Sequence, residues 1–150
     1  MSLRELVSKA KNKGKGVGRH GRLLDVKEIR RIRRRGYRAE RELVKKLRGC
    51  GFNAVRVPVS APSSEPLPDV FATKSDTLLA FEIKSPNSDR AYFQKDQIKK
   101  LFEFLDMFEA YTGRNAVLGA KFPYRWVFKK VEKIDDYVVS KREESSIIFE

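Results

Sequence analysis

The 150-residue chain has one cysteine, one histidine, one tryptophan and only six asparagines and glutamines together. A lone Cys50 excludes an internal disulfide and a cysteine-rich metal site. A lone His20 excludes two-histidine metal centres and argues against a histidine-centred triad; set in a Lys/Gly run, it reads as solvated. No apolar run approaches the roughly 18 residues of a membrane span, Leu78–Phe81 being far shorter, so no membrane insertion is expected. The start, Met1-Ser2-Leu3-Arg4-Glu5, has no secretory apolar stretch, and the chain is expected to be intracellular. Few amides and 35% charged residues lean toward a thermophilic source.

What is present is a core and a polarised charge. Hydrophobic residues make up 41% and aromatics 11%, enough for one folded domain. The net charge is +13, and all of it belongs to the first third: residues 1–48 hold 18 Lys/Arg against 5 Asp/Glu, whereas residues 49–150 hold 15 of each. Such a leader suits a polyanion, nucleic acid first, an acidic membrane surface or acidic protein after it. Lys9–Gly21 (KAKNKGKGVGRHG) cannot bury apolar area, so a flexible basic arm is expected over 1–23 and a folded domain over 24–150. From Leu24, through Val26, Ile29 and Ile32, the pattern turns helical while Arg30, Arg31, Arg33, Arg34 and Arg35 crowd its turns. Mutual repulsion makes that stretch steadier against phosphate than alone.

Gly36 is expected to interrupt this helix, and Tyr37–Arg48 to form the next, stopped by Gly49-Cys50-Gly51. Phe52–Pro58 reads as a strand, with Phe52 and Ala54 inward and Val55 or Val57 a further inward candidate. Pro58–Pro68 reads as a loop, and Asp69–Thr73 and Leu78–Lys84 as strands around a Ser75-Asp76 turn. Pro86–Arg90 is expected to be a loop, Asp96–Thr112 a helix, Asn115–Lys121 and Arg125–Val131 strands, Ile134–Ser140 a short helix, and the C-terminal residues a strand or a docking tail. The order implies an α/β domain, a mixed central sheet flanked by helices. Helix 96–112 carries apolar residues over about half its circumference. The surplus around Phe104, Phe108 and Tyr111 points equally to a twin subunit and to cover by the C-terminal segment.

The chemistry gathers in the middle. In a hairpin closed by Ser75-Asp76, the numbers of facing residues sum to 151, which makes Asp69 and Glu82 cross-strand neighbours. Two carboxylates so placed repel unless a divalent cation lies between them. Strand alternation sets Glu82 and Lys84 on one face and Leu79, Phe81 and Ile83 on the other. An ammonium there can orient an attacking water or stabilise charge on a phosphate. Glu40 has Leu43, Val44 and Leu47 on its helix face and so turns inward, whereas Glu42 pairs with Lys45 and Lys46 on a solvated face. Hard oxygen ligands, a lysine and a cationic track are what phosphodiester hydrolysis with Mg²⁺ or Mn²⁺ needs. An ordinary surface ladder of charges accounts for the strand residues as well.

Five motifs in order then carry a resemblance: Gly36-Tyr37-Arg38-Ala39-Glu40, Arg56-Val57-Pro58-Val59-Ser60, Pro68-Asp69-Val70, Glu82-Ile83-Lys84-Ser85, and Tyr92 followed by Asp96-Gln97. In these, over about residues 36–131, the chain resembles the archaeal Holliday junction resolvases, a branch of the PD-(D/E)xK nucleases with a restriction-endonuclease-like fold. The resemblance implies a homodimer that binds four-way DNA junctions and makes paired, symmetric cuts with Mg²⁺ or Mn²⁺ in recombination and repair, in the cytoplasm at the nucleoid. It implies that Asp69 and Glu82 hold the metal with the Ile83 backbone carbonyl, that Glu40 completes the acidic site, that Lys84 assists the water, and that Ser60 positions the scissile phosphate. Arg30, Arg31, Arg33, Arg34, Arg35, Arg38, Arg56, Ser60 and, more weakly, Gln97 are the candidate DNA contacts. The long arm before Gly36 departs from the family pattern. The alternatives are another nuclease of the same fold, of restriction or nicking type, and a non-catalytic basic DNA-binding protein. Deleting residues 1–22 is expected to flatten the salt dependence of DNA affinity, measured by fluorescence anisotropy across ionic strengths. An unchanged slope identifies the arm as a solubilising appendage.

Overall fold

The computed structural model describes residues 23–58 and 64–149; the arm before Leu23, His20 and Ser60 lie outside the described residues. The chain divides into two compact units, Met1–Tyr37 and Arg38–Glu150, and helix α1 (Val26–Gly49) runs from one into the other. In the first unit, Asp25 and Glu28 cap α1 reciprocally: Glu28 N–H donates to Asp25 Oδ1 at 2.8 Å and Asp25 N–H to Glu28 Oε2 at 2.9 Å. Arg30, Arg31, Arg33 and Arg34 are exposed, as are Val26 and Ile32. The interruption expected at Gly36 does not occur. One glycine costs a helix only about 1 kcal/mol, less than the hydrogen bonds on both sides supply. The helix ends where Gly51 takes φ +86°, letting Phe52 N–H reach the Leu47 carbonyl at 3.0 Å.

The second unit is a mixed sheet between two apolar layers. Its order is β1 (Asn53–Arg56), β2 (Val70–Lys74), β3 (Thr77–Lys84), β5 (Gly113–Phe122), β6 (Arg125–Val131), with β3 and β5 parallel and the other neighbours antiparallel. A separate ribbon pairs β4 (Arg90–Phe93) with β7 (Tyr137–Ser140). One face packs on Ala39, Leu43, Val44 and Leu47 of α1 through Ala54, Val70, Ala72, Leu79, Phe81 and Ile83. The other packs on α2 (Lys95–Asp106) through Leu78, Ala80, Ala116, Leu118 and Ala120. Alternation along β3 thus serves two cores at once.

Three expected elements differ. Residues 90–93, of which only Arg90 was expected in a loop and the rest unassigned, form a strand, and 137–140 a strand rather than a helix. Each is too short to show a period of its own, and each has its alternate residues buried, Ala91 and Phe93 in one and Val139 in the other. Helix α2 stops at Asp106, not Thr112. From Met107 the N–H groups bond three residues back, Met107 to Phe104 at 3.2 Å and Phe108 to Leu105 at 3.1 Å, and these turns bring Gly113 N–H to the Asp76 carbonyl at 3.0 Å. Phe104 is buried between Phe71 and Phe108, at ring distances of 5.4 and 4.9 Å, so part of the apolar surplus is used within the chain. Met107 and Phe108 stay exposed.

The C-terminal residues dock, without forming a strand. Ser146 N–H donates to the Phe128 carbonyl, and the Ser145 and Ser146 hydroxyls accept from Phe128 and Lys130 N–H, which covers the β6 edge. Phe149 then inserts among Phe52, Phe81 and Phe128, with ring centroids 5.0–6.0 Å away, and the Cys50 thiol donates to its carbonyl at 3.3 Å. Phe149→Ala is expected to cost about 2–3 kcal/mol, below the usual range for a core phenylalanine because a terminal segment can relax. Urea denaturation followed by tryptophan fluorescence measures it.

Candidate active site

The site sits where several elements end at one end of the sheet. The hairpin register is the one expected, Lys74 facing Thr77 through to Val70 facing Phe81. At Asp69 it shifts: the Asp69 N–H donates to the Phe81 carbonyl at 2.9 Å, while its carboxylate Oδ2 accepts from Ile83 N–H at 2.8 Å. A side chain thus takes the place of a backbone acceptor and carries the Asp69 carboxylate to the end of β3, beside Glu82 and Lys84. Alternation sets Glu82 and Lys84 on the α2 side of the sheet, with Leu78 and Ala80 next on the same face, and the Asp69 charge acts on Glu82 and on Glu40 alike.

Burial and proximity set the charge state. Glu82 is partly buried, and burial first, then the Asp69 carboxylate, push its pKa up to about 8, against the pull of Lys84 and Lys100. Asp69 is also raised, by burial, although the Ile83 N–H, Lys84 and Arg56 favour its ionised form. Two carboxylates that resist ionising together form a hard-oxygen donor set that a divalent cation would relieve of both burial cost and repulsion. One oxygen of each is tied to protein, Asp69 Oδ2 by Ile83 and Glu82 Oε1 by Gln97 Nε2 at 3.0 Å, leaving the second oxygen of each for an ion.

Glu40 arrives from the other face. It is buried in α1 as expected, yet it has a partner that helical spacing does not reveal: Arg56 Nε donates to Glu40 Oε2 at 2.5 Å. Burial and then Asp69 raise the Glu40 pKa, opposed by Arg56. Glu40 is within electrostatic reach of both Asp69 and Glu82, but no three acidic side chains among the described residues close into a ready ligand cage. Glu42 differs from expectation. Its bonds go to Lys121 Nζ at 3.0 Å and Trp126 Nε1 at 2.9 Å rather than along its own helix. Burial raises its pKa, and these two partners together with the Lys46 charge outweigh that and leave it lowered.

Gln97 both caps and reaches the site. Its Oε1 accepts from Gln94 N–H at 3.1 Å while its Nε2 holds Glu82. Lys100, one turn on, and the Asp136 carboxylate, which accepts from Lys95 N–H at 2.7 Å at the helix start, escaped the sequence reading. Asp25-x-x-Glu28 is a capping pattern that sequence could have signalled, whereas Gln94 is not a usual capping residue and Asp136 gave no local signal. Arg38 is exposed, and Arg56 is engaged with Glu40.

Because the folded pKa of Glu82 lies above its unfolded value of 4.5, its contribution to stability is fully present below pH 4.5 and is lost as pH rises toward 8. The metal-free protein is expected to lose stability over that window, by at most about 1.4 kcal/mol per pH unit from this group. Glu82→Gln is expected to flatten the slope. Denaturant titrations from pH 4.5 to 8.5 in chelator read both.

Residues 31–150 match the family model described as archaeal Holliday junction resolvase (Hjc). The chain is 46% identical over 107 residues to the crossover junction endodeoxyribonuclease Hje of Saccharolobus islandicus, covering 70% of this chain and 78% of that one. It is 32% identical over 102 residues to the crossover junction endodeoxyribonuclease Hjc of Sulfurisphaera tokodaii, covering 67% and 68%. The solved structure of Archaeoglobus fulgidus Hjc, a Holliday junction resolvase, superposes with a TM-score of 0.59 at 29% identity over 71% of this chain and 88% of that one. The restriction-endonuclease-like architecture expected from the motifs is therefore the one adopted. With the family match spanning α1 to Glu150 and the paired acids set at the strand ends, the chain belongs to the archaeal Holliday junction resolvase family.

Proposed function

We propose that this protein is a metal-dependent endonuclease that resolves four-way DNA junctions by hydrolysing a phosphodiester in each of two opposed strands. The carrying observation is the proximity of Asp69, Glu82 and Lys84 where β2 begins and β3 ends, with the Glu82 pKa raised to about 8 by burial and by Asp69. Family membership supplies the substrate class.

Asp69 and Glu82 would hold the ion, with the Ile83 carbonyl beside them and Glu40 completing the acidic surroundings. Oxygen donors of this kind suit Mg²⁺ or Mn²⁺. When bound, the ion supplies Lewis-acid polarisation of the phosphate and a more acidic water. Lys84 lies on the same face and favours the ionised form of both carboxylates; its ammonium orients the water or neutralises charge growing on the phosphate. Arg56 favours the ionised form of Glu40, against the burial and the Asp69 charge that raise its pKa. Ser60 is assigned to the scissile phosphate. The arginines Arg30, Arg31, Arg33, Arg34, Arg35 and Arg38 are assigned to the DNA backbone, where contacts are independent of sequence, as a junction of any sequence requires.

Paired cuts need two active sites, and a two-fold homodimer matches a two-fold junction. The exposed Met107 and Phe108 leave apolar surface for such a contact. Among the described residues no helix is long and apolar enough to cross a membrane, and the reading places the enzyme with DNA in the cytoplasm.

Asp69→Asn, Glu82→Gln and Lys84→Ala are each expected to lower cleavage of a four-way junction in Mg²⁺ by at least about 10²-fold while leaving junction affinity in chelator intact. Gel cleavage on a junction and a linear duplex of matched sequence, beside gel-shift binding, checks this. Equal cutting of junction and duplex overturns the junction reading, and an active Asp69→Asn overturns the site.

A further inference from the structure

We infer that Gln97 is a positioning residue that locks the Glu82 carboxylate into its ion-holding orientation, using the N-terminal cap of α2 as a fixed mount. The inference rests on the reading of Asp69 and Glu82 as the metal pair.

The mount is rigid for identifiable reasons. Ile98, the next residue, is fully buried and anchors the first turn in the core. Backbone bonds from Gln97 N–H and Ile98 N–H to the Gln94 carbonyl, at 3.0 and 3.3 Å, set the helix start. Asp136 holds Lys95 N–H from the segment before β7 at 2.7 Å. The Gln97 amide then has one chemically sensible orientation. Its oxygen must face the donor, Gln94 N–H at 3.1 Å, so its nitrogen must face the acceptor, Glu82 Oε1 at 3.0 Å. Turning the amide over would set nitrogen against N–H and oxygen against carboxylate, breaking both bonds. The cap therefore dictates which atom Glu82 meets.

The consequence reaches the ion. Glu82 projects from the end of β3, and Asp69 opposes it. Left alone, the two carboxylates would rotate apart. A neutral amide donor holds one oxygen of Glu82 without adding a second cation, so the anionic character that attracts a divalent ion is retained. Ile83 N–H does the same for Asp69. The pair is thus pre-oriented from both sides by neutral donors, a backbone one on Asp69 and a side-chain one on Glu82. Outer partners of metal ligands commonly govern affinity in this way.

The test compares two variants that disturb the same helix start. Gln97→Met keeps the volume and removes both the cap acceptor and the amide donor. Asp136→Ala removes a cap acceptor at Lys95 N–H and does not touch Glu82. Mn²⁺ affinity of the DNA-free full-length protein is measured by calorimetry, together with thermal melting, junction affinity in chelator, and cleavage over a Mn²⁺ titration. Gln97→Met is expected to weaken Mn²⁺ binding by about ten-fold or more, to shift the Mn²⁺ dependence of cleavage by the same factor with recovery at high Mn²⁺, and to bind junctions as wild type does. Asp136→Ala is expected to melt earlier and to weaken Mn²⁺ binding clearly less than Gln97→Met does, since it leaves the Gln97–Glu82 bond in place. Equal Mn²⁺ affinity in Gln97→Met and wild type overturns the inference. So does equal weakening in both variants, which would make the effect one of helix integrity, and so does loss of junction affinity in chelator, which would make Gln97 a DNA contact. If Glu82→Gln binds Mn²⁺ as wild type does, the metal pair itself is misassigned, a failure distinct from that of Gln97.

Discussion

The structure turns on two carboxylates held where water is scarce. Asp69 and Glu82 stand at the ends of adjacent strands, each burdened by burial and by the other's charge. Such a pair is costly in a folded domain, and the surroundings are organised around it. Neutral donors, Ile83 N–H and the Gln97 amide, fix one oxygen of each. Cations sit within electrostatic reach, Lys84 on both carboxylates and Lys100 on Glu82. On the proposed reading, a compact positive charge that the side chains do not themselves supply would relieve this balance.

The fold brings these groups together because β3 belongs to two cores. Leu79, Phe81 and Ile83 bury against the α1 layer while Leu78 and Ala80 bury against α2. With both faces committed, the register cannot slip, since a one-residue shift would exchange every side chain between layers. That rigidity continues to the strand end, where alternation delivers Glu82 and Lys84 to the α2 side. Arg56 follows the same logic on β1. It shares a face with Ala54, which is buried toward α1, and so meets Glu40.

The DNA-facing character has a separate origin. The excess positive charge lies before residue 49, while the rest of the chain is balanced. On the proposed reading, the strand acids Asp69 and Glu82 and the excess positive charge come from different stretches of sequence, with Glu40 the one acid of the site drawn from the basic stretch. On that reading, an acidic site alone would repel phosphates, and a concentrated basic leader would offset the repulsion at long range without neutralising the acids at the centre.

The hairpin count from Ser75-Asp76 determined the β2–β3 register as far as Val70 and Phe81, though not at Asp69, where it shifts, and helical spacing turned Glu40 inward, because both depend only on period and chain connectivity. The order of elements indicated a mixed sheet flanked by helices, and the resemblance carried by the five motifs supplied the particular fold. What the sequence did not show was any relation between residues distant along the chain. The Arg56–Glu40 ion pair, the Glu42–Lys121–Trp126 cluster, the Gln97–Glu82 bond, the β4–β7 ribbon and the seat of Phe149 join positions 15 to 97 residues apart. Local pattern carries no information about such meetings. Strands of four residues have too few alternations to register as a period, and a carboxylate's partner is decided by which elements the core presses together. Tertiary packing alone settled those, because they are properties of faces in contact rather than of neighbours in sequence.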